Sequence, residues 1–110
     1  MFPPPVPSVA ADGVAPDAVI LDVREPDEWQ AGHIEGAIHI PLADLPARVG
    51  ELPSDADLVV VCRSGGRSGR AVGWLNQNGF DVLNFDGGMV AWAASGRKMV
   101  SETGEAPTVR

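Results

Sequence analysis

The residues best suited to chemistry in this sequence are Cys62-Arg63-Ser64-Gly65-Gly66-Arg67-Ser68. The thiolate is the nucleophilic form of cysteine, and electropositive surroundings raise its fraction at neutral pH. Ser64, Gly65 and Gly66 allow successive backbone N–H groups to turn inward as a nest, and a helix beginning near Ser68 adds its positive end. Arg63, Arg67 and Arg70 are three of the eight basic residues, while no Asp or Glu occurs between positions 58 and 80. An acidic chain therefore carries one positive island around its single thiol, the setting for a Cys62 nucleophile acting on an anion. The competing reading is a small apolar cysteine closing a buried strand.

Spacing separates two chemistries for such a loop. In cysteine-dependent phosphatases the phosphate-gripping arginine follows the cysteine by six positions; here Ser68 stands at that place and Arg67 comes one residue early. A tighter ring of amides suits a single transferred sulfur atom better than a phosphoryl group, whose three oxygens each need donors. The loop thus favours sulfur transfer over dephosphorylation.

The loop needs elements to hold it. Leu58-Val59-Val60-Val61 contains no polar residue, as expected of a parallel strand covered on both faces, and Cys62 falls at its carboxyl end, where open α/β sheets place ligands. Val19-Ile20-Leu21 reads as a second buried strand with Asp22, Val23 and Arg24 at its carboxyl end. In a parallel sheet that end lies beside the Cys62 loop, so Asp22 and Arg24 either brace it or close their own strand as an ion pair. Pro26 to Trp29 suits the first turn of a short helix ended by Gly32, with Trp29 as a core anchor. His33 sits in a Gly-His-Ile-Glu-Gly turn, where an imidazole fixing the bend is the better reading than a general base. Residues 37–40 predict a brief strand, and 42–49 a helix shortened or distorted by Pro46. After the loop, Ala71, Val72, Trp74 and Leu75 place an apolar stripe on a helix that stops at Asn78-Gly79. Val82, Leu83, Asn84 and Phe85 form the next strand, and Asp86-Gly87-Gly88 turns into a last helix over 89–95, whose Met89 and Trp92 either wall the pocket or pack.

Composition bounds the function. With 110 residues the chain is one domain, and 45% hydrophobic residues without a long apolar stretch exclude a membrane-spanning helix. The first eight residues lack a basic start and an apolar core, so no signal peptide is expected and the cytoplasm is the natural location. A net charge of −7 argues against nucleic-acid or anionic-membrane partners. One cysteine precludes an internal disulfide, and two histidines with one cysteine give no metal-ligand spacing, so neither metal nor cofactor is expected. The expected organisation is an extended, proline-rich lead-in over 1–16, a domain over 17–98, and a flexible tail over 99–110 rich in Ser, Glu, Thr, Gly and Pro.

The loop from Cys62 to Ser68 joins three further motifs in order. Upstream stand Leu21-Asp22-Val23-Arg24-Glu25-Pro26-Asp27-Glu28-Trp29 and Gly32-His33-Ile34-Glu35-Gly36-Ala37, and downstream Gly87-Gly88-Met89-Val90-Ala91-Trp92. Over roughly residues 19–96 this pattern resembles a single-domain rhodanese, a thiosulfate sulfurtransferase, and the six residues from Cys62 to Arg67 are that family's catalytic loop length. The resemblance implies an α/β, three-layer fold with a central, mostly parallel sheet of four to five short strands flanked by helices. Members usually carry a helix before the first central strand, whereas positions 8–16 are short and hold Gly13 and Pro16, so a reduced helix is expected here. The resemblance also implies Cys62 as the catalytic residue, carrying a persulfide. Arg63, Ser64, Gly65, Gly66, Arg67 and Ser68 bind the substrate, and Asp22 and Arg24 support the loop. The partners would be a small anionic sulfur donor such as thiosulfate and, since no second cysteine is present, an external acceptor: cyanide, a small thiol or a protein thiol. The alternatives are a non-catalytic rhodanese-like binding or regulatory module and, disfavoured by loop length, phosphatase or arsenate-reducing activity.

Overall fold

In the computed structural model, which describes residues 6–110, five short strands run parallel in one sheet: β1 (Ser8–Val9), β2 (Val19–Asp22), β3 (Ile38–His39), β4 (Leu58–Val61) and β5 (Val82–Phe85). Their spatial order is β1-β5-β4-β2-β3, which puts the apolar β4 at the centre. Helices α1 (Pro26–Ala31), α2 (Leu45–Arg48), α3 (Gly66–Gln77) and α4 (Gly88–Ala94) occupy the connections and follow the last strand. This is the α/β architecture expected, with the sheet at the upper end of the strand count.

Side chains along β4 alternate between two cores, as the period of two in a pleated strand dictates. Leu58, Val60 and Cys62 join Leu21, Val23, Leu45, Ala71, Val72 and Leu75 on one face. Val59 and Val61 join Ile20, Ile34, Phe85, Met89 and Trp92 on the other. Because both faces are covered, β4 can dispense with polar residues, and all four of its residues are buried. The cysteine thereby turns toward the face that carries α3.

Several local expectations shift. The strand expected over 37–40 is the two residues Ile38–His39. Pro46 does limit the helical stretch, which becomes α2 between two 3-10 turns, Leu42–Asp44 and Val49–Glu51. Helix α3 starts at Gly66, two residues before Ser68, because Gly65 at φ +120° turns the chain into it directly. Trp29 is not a core anchor: it is half-buried, stacked on His33 at 3.6 Å and His39 at 4.7 Å between ring centroids.

Of the lead-in, Met1 to Pro5 lies outside the described residues. Ser8–Val9 pairs with Asn84 and Phe85 as an edge strand, and Pro7 is compatible with it because its carbonyl only needs to accept, here from the Asn84 N–H at 2.8 Å. Before β2 the described chain holds a single 3-10 turn, Ala11–Gly13, where the family pattern carries a helix. The stretch 99–110, expected as a flexible tail, is irregular but lies along α1. Val100 exchanges two backbone hydrogen bonds with His33, the Glu102 N–H donates to the Gln30 carbonyl, and the Thr108 N–H donates to the Ala31 carbonyl.

Candidate active site

Cys62 sits immediately beyond the carboxyl end of β4, 1% exposed, with Arg63, Ser64 and Gly66 of the same loop exposed around it. The Gly65 N–H donates to its Sγ at 3.0 Å and the Ser68 hydroxyl lies 3.3 Å from it. The positive φ of Gly65 turns that amide inward, a conformation costly for any residue with a Cβ. Burial pushes the Cys62 thiol up, but the Ser68 hydroxyl and the amides of Ser68, Gly65 and Ser64 outweigh it and leave the thiol below its ordinary value. The sulfur is thus enclosed by its own loop, with the loop's donors aimed at it.

The start of the loop is pinned from the other side. Met89 and Val90, in the first turn of α4, donate their N–H groups to the carbonyls of Cys62 and Arg63 at 2.8 and 3.0 Å. Gly88 makes this approach possible: a Cβ there would lie 2.5–2.6 Å from those backbone atoms, and its φ is +59°. Gly88, the first residue of α4, is therefore a requirement of the loop's geometry, and Met89, fully buried, packs in the core.

The positive island differs from its appearance in sequence. Arg67 reaches across to α1, where Nη1 and Nη2 donate to the two carboxylate oxygens of Glu28 at 2.6 and 2.9 Å. Its hydrogen bond with Arg67, against the opposing effect of burial, lowers the Glu28 carboxyl from 4.5 to about 2. Glu28 Oε1 also accepts the Glu25 N–H at 3.0 Å, so one carboxylate both secures the start of α1 and engages the loop arginine. Arg67 is therefore not the free anion hook that the acid-free stretch 58–80 suggested. Arg63 stays exposed, its Nε donating to the Arg110 carbonyl at 3.2 Å, and Arg70 is exposed on α3.

Asp22 and Arg24 form a fully buried pair at the end of β2. Arg24 Nε and Nη2 donate to Asp22 Oδ1 and Oδ2 at 3.0 and 2.7 Å. The same guanidinium holds the Gly32 carbonyl at 2.8 Å and the Glu28 carbonyl at 3.4 Å, at the end of α1. The pair thus braces α1, and α1 presents Glu28 to Arg67. His33 bonds the Ile34 carbonyl and Glu102, each at 3.1 Å, which is the bend-fixing role read from its turn.

Two residues of this constellation escaped sequence reasoning. Glu28 comes from a different element, the first turn of α1, and nothing local in the sequence ties it to the loop. Asn84 on β5 lies with its Oδ1 2.5 Å from Ser68 Oγ; the one signal was an amide in an otherwise apolar strand. Among the described residues no group of three or more His, Cys, Asp and Glu could hold a metal ion, and no helix is long and apolar enough to cross a membrane. A cavity of about 440 Å³ opens at the opposite end of the sheet, beside Asp55, Asp57 and Asp81 and away from Cys62.

Residues 8–95 match the model of the rhodanese-like domain. A sulfurtransferase of Allochromatium vinosum is 42% identical over 89 residues, covering 80% of this chain and 83% of that protein. The thiosulfate sulfurtransferase GlpE of Pseudoalteromonas translucida is 39% identical over 80 residues, 72% of this chain and 76% of that protein. Among solved structures, a rhodanese-related protein from Thermoplasma volcanium superposes with a TM-score of 0.81 at 33% identity, covering 86% of this chain and 97% of that one.

Proposed function

The chain belongs to the rhodanese-like family, and from that premise we propose that it is a sulfurtransferase in which Cys62 takes a sulfane sulfur from thiosulfate or a similar anionic donor and delivers it to an external acceptor. Sulfurtransferase relatives at about 40% identity support sulfur transfer in general. The observation that carries the role of Cys62 is the sulfur's enclosure by the Gly65 N–H and the Ser68 hydroxyl at the end of β4.

The chemistry is a double displacement. The Cys62 thiolate attacks the outer sulfur of the donor; the new Cys62 sulfur–sulfur bond forms as the donor's sulfur–sulfur bond breaks, and sulfite leaves with the electron pair. The negative charge now on the terminal persulfide sulfur is stabilised by the inward-facing amides of Ser64, Gly65 and Ser68. Arg63, exposed beside the loop, draws the anionic donor in. Arg67 adds less than a free cation would, since Glu28 neutralises it. An acceptor thiolate or cyanide then attacks the terminal sulfur and regenerates the Cys62 thiolate. With no second cysteine in the chain, the acceptor comes from outside; a protein thiol and a small thiol are both suitable.

Intact-mass measurement after incubation with thiosulfate tests this. The native chain is expected to gain one sulfur and to lose it on addition of cyanide or a thiol, and Cys62→Ser to gain none. A native chain that stays at its original mass, or a Cys62→Ser variant that still gains sulfur, would overturn the assignment. The alternative of a binding module without turnover predicts the first of those failures.

A further inference from the structure

Asn84 is a polar side chain in the interior of the sheet, 7% exposed, where an apolar residue would avoid the desolvation penalty of an amide. Neither the fold nor the sulfur-transfer chemistry accounts for it. Its side chain meets Ser68: Oδ1 lies 2.5 Å from Ser68 Oγ, and that hydroxyl is in turn 3.3 Å from Cys62 Sγ and 3.2 Å from the Gly65 carbonyl. A hydroxyl has one hydrogen and two lone pairs, so Ser68 donates to only one of these three neighbours at a time.

The amide decides which. With its oxygen toward Ser68, Asn84 takes the hydrogen for itself. With its nitrogen there, it donates into Oγ and leaves the hydrogen for another acceptor. The two ends of a carboxamide have the same shape, so a half-turn of the group exchanges these arrangements within the same packing. Donation into Oγ also polarises the hydroxyl and strengthens the bond it makes onward. Without Asn84 the hydrogen has a ready local partner in the Gly65 carbonyl, one turn earlier in the chain.

We propose that Asn84 is a positioning residue that acts through the Ser68 hydroxyl to direct its hydrogen to the Cys62 sulfur when that sulfur is ionised. The proposal deepens the sulfur-transfer reading and rests on it for its use, while its geometry stands independently. A neutral thiol leaves the amide free to accept from Ser68; a thiolate draws the hydrogen, and Asn84 turns its nitrogen to Oγ. Asn suits this position because Asp can only accept and an apolar residue can do neither.

Cys62 is the only cysteine, so iodoacetamide alkylation followed over pH reads its ionisation alone. In Asn84→Ala the midpoint is expected to rise by about half to one pH unit, slowing alkylation below the midpoint by about threefold to tenfold. Asn84→Asp keeps the shape and is expected to rise further, because its carboxylate retains the Ser68 hydrogen and adds negative charge; it also carries the test should the alanine variant not fold. Ser68→Ala is expected to rise, and Asn84→Ala added to Ser68→Ala to produce no further shift. Midpoints unmoved in both Asn84 variants, or an Asn84→Ala shift that persists in full on the Ser68→Ala background, would overturn the proposal. Persulfide mass after thiosulfate, measured on the same native protein, reads the sulfur-transfer assignment separately: its absence overturns that assignment and leaves the pattern of midpoints to decide the role of Asn84.

Discussion

Two acid–arginine pairs stand near each other at the end of the sheet, and their surroundings give them different work. Asp22–Arg24 closes β2 with both side chains 0% exposed, and the guanidinium's other hydrogen bonds go to carbonyls of Glu28 and Gly32. Glu28–Arg67 joins α1 to the loop with side chains 13% and 30% exposed. A buried charge that loses its partner is left uncompensated in a medium of low polarity, whereas one at the margin regains water. The first pair is therefore a fixed brace. The second is a contact that an arriving anion can compete with.

The largest effect is expected at the brace. Arg24→Ala removes the partner of a fully buried carboxylate and should cost about 3–5 kcal/mol, much of the stability of a domain this size, read as the urea unfolding midpoint at neutral pH. A loss comparable to that of a surface substitution would make the two pairs equivalent and break the comparison.

An intermediate effect is expected at the margin. Glu28→Gln should cost about 1–2 kcal/mol at neutral pH once screening is allowed for. The folded-state carboxyl is depressed from 4.5 to about 2, so its contribution is fully present above 4.5, declines as pH falls, and is gone below about 2. Urea melts of the native chain between pH 5 and 3 should show that decline, and the glutamine variant should lack the part due to Glu28. Freed of its counter-charge, Arg67 should also lower the KM for thiosulfate in steady-state assays; a raised KM with unchanged kcat would show instead that Glu28 holds Arg67 in its productive place.

The smallest effect is expected at Arg48–Glu51, a third pair whose side chains are 39% and 52% exposed and which touches neither the loop nor the brace. Arg48→Ala should leave thermal melting and thiosulfate turnover within error of the native chain. A clear drop in either would mean that exposure does not rank these pairs.

Much of this arrangement was legible in the sequence. The apolar β4, the cysteine at its carboxyl end and the glycines of the loop are consecutive in the chain, and the Gly87-Gly88 turn into α4 is a local signal of its own, so propensity and periodicity act on them directly. Asp22 and Arg24 were legible as a strand-end pair because only Val23 separates them. Trp29 was misread since aromatic character does not reveal whether a ring enters a core or stacks between two histidines. The edge strand β1, two residues long, is too short to show a period at all.

What the sequence determined by itself is a central buried strand delivering one thiol into a Gly-rich, arginine-flanked turn, because each of those properties is local. What only the tertiary structure decided is which groups meet that thiol and its arginines. Glu28 lies 39 positions from Arg67 and Asn84 lies 16 from Ser68; the strand order β5-β4-β2 flanks the cysteine's strand with Asn84 on one side and the brace that carries α1 on the other. Charge neutralisation and the direction of a single hydroxyl hydrogen fall off over a few ångströms, so they depend on which elements the fold makes neighbours, a property that no stretch of sequence carries alone.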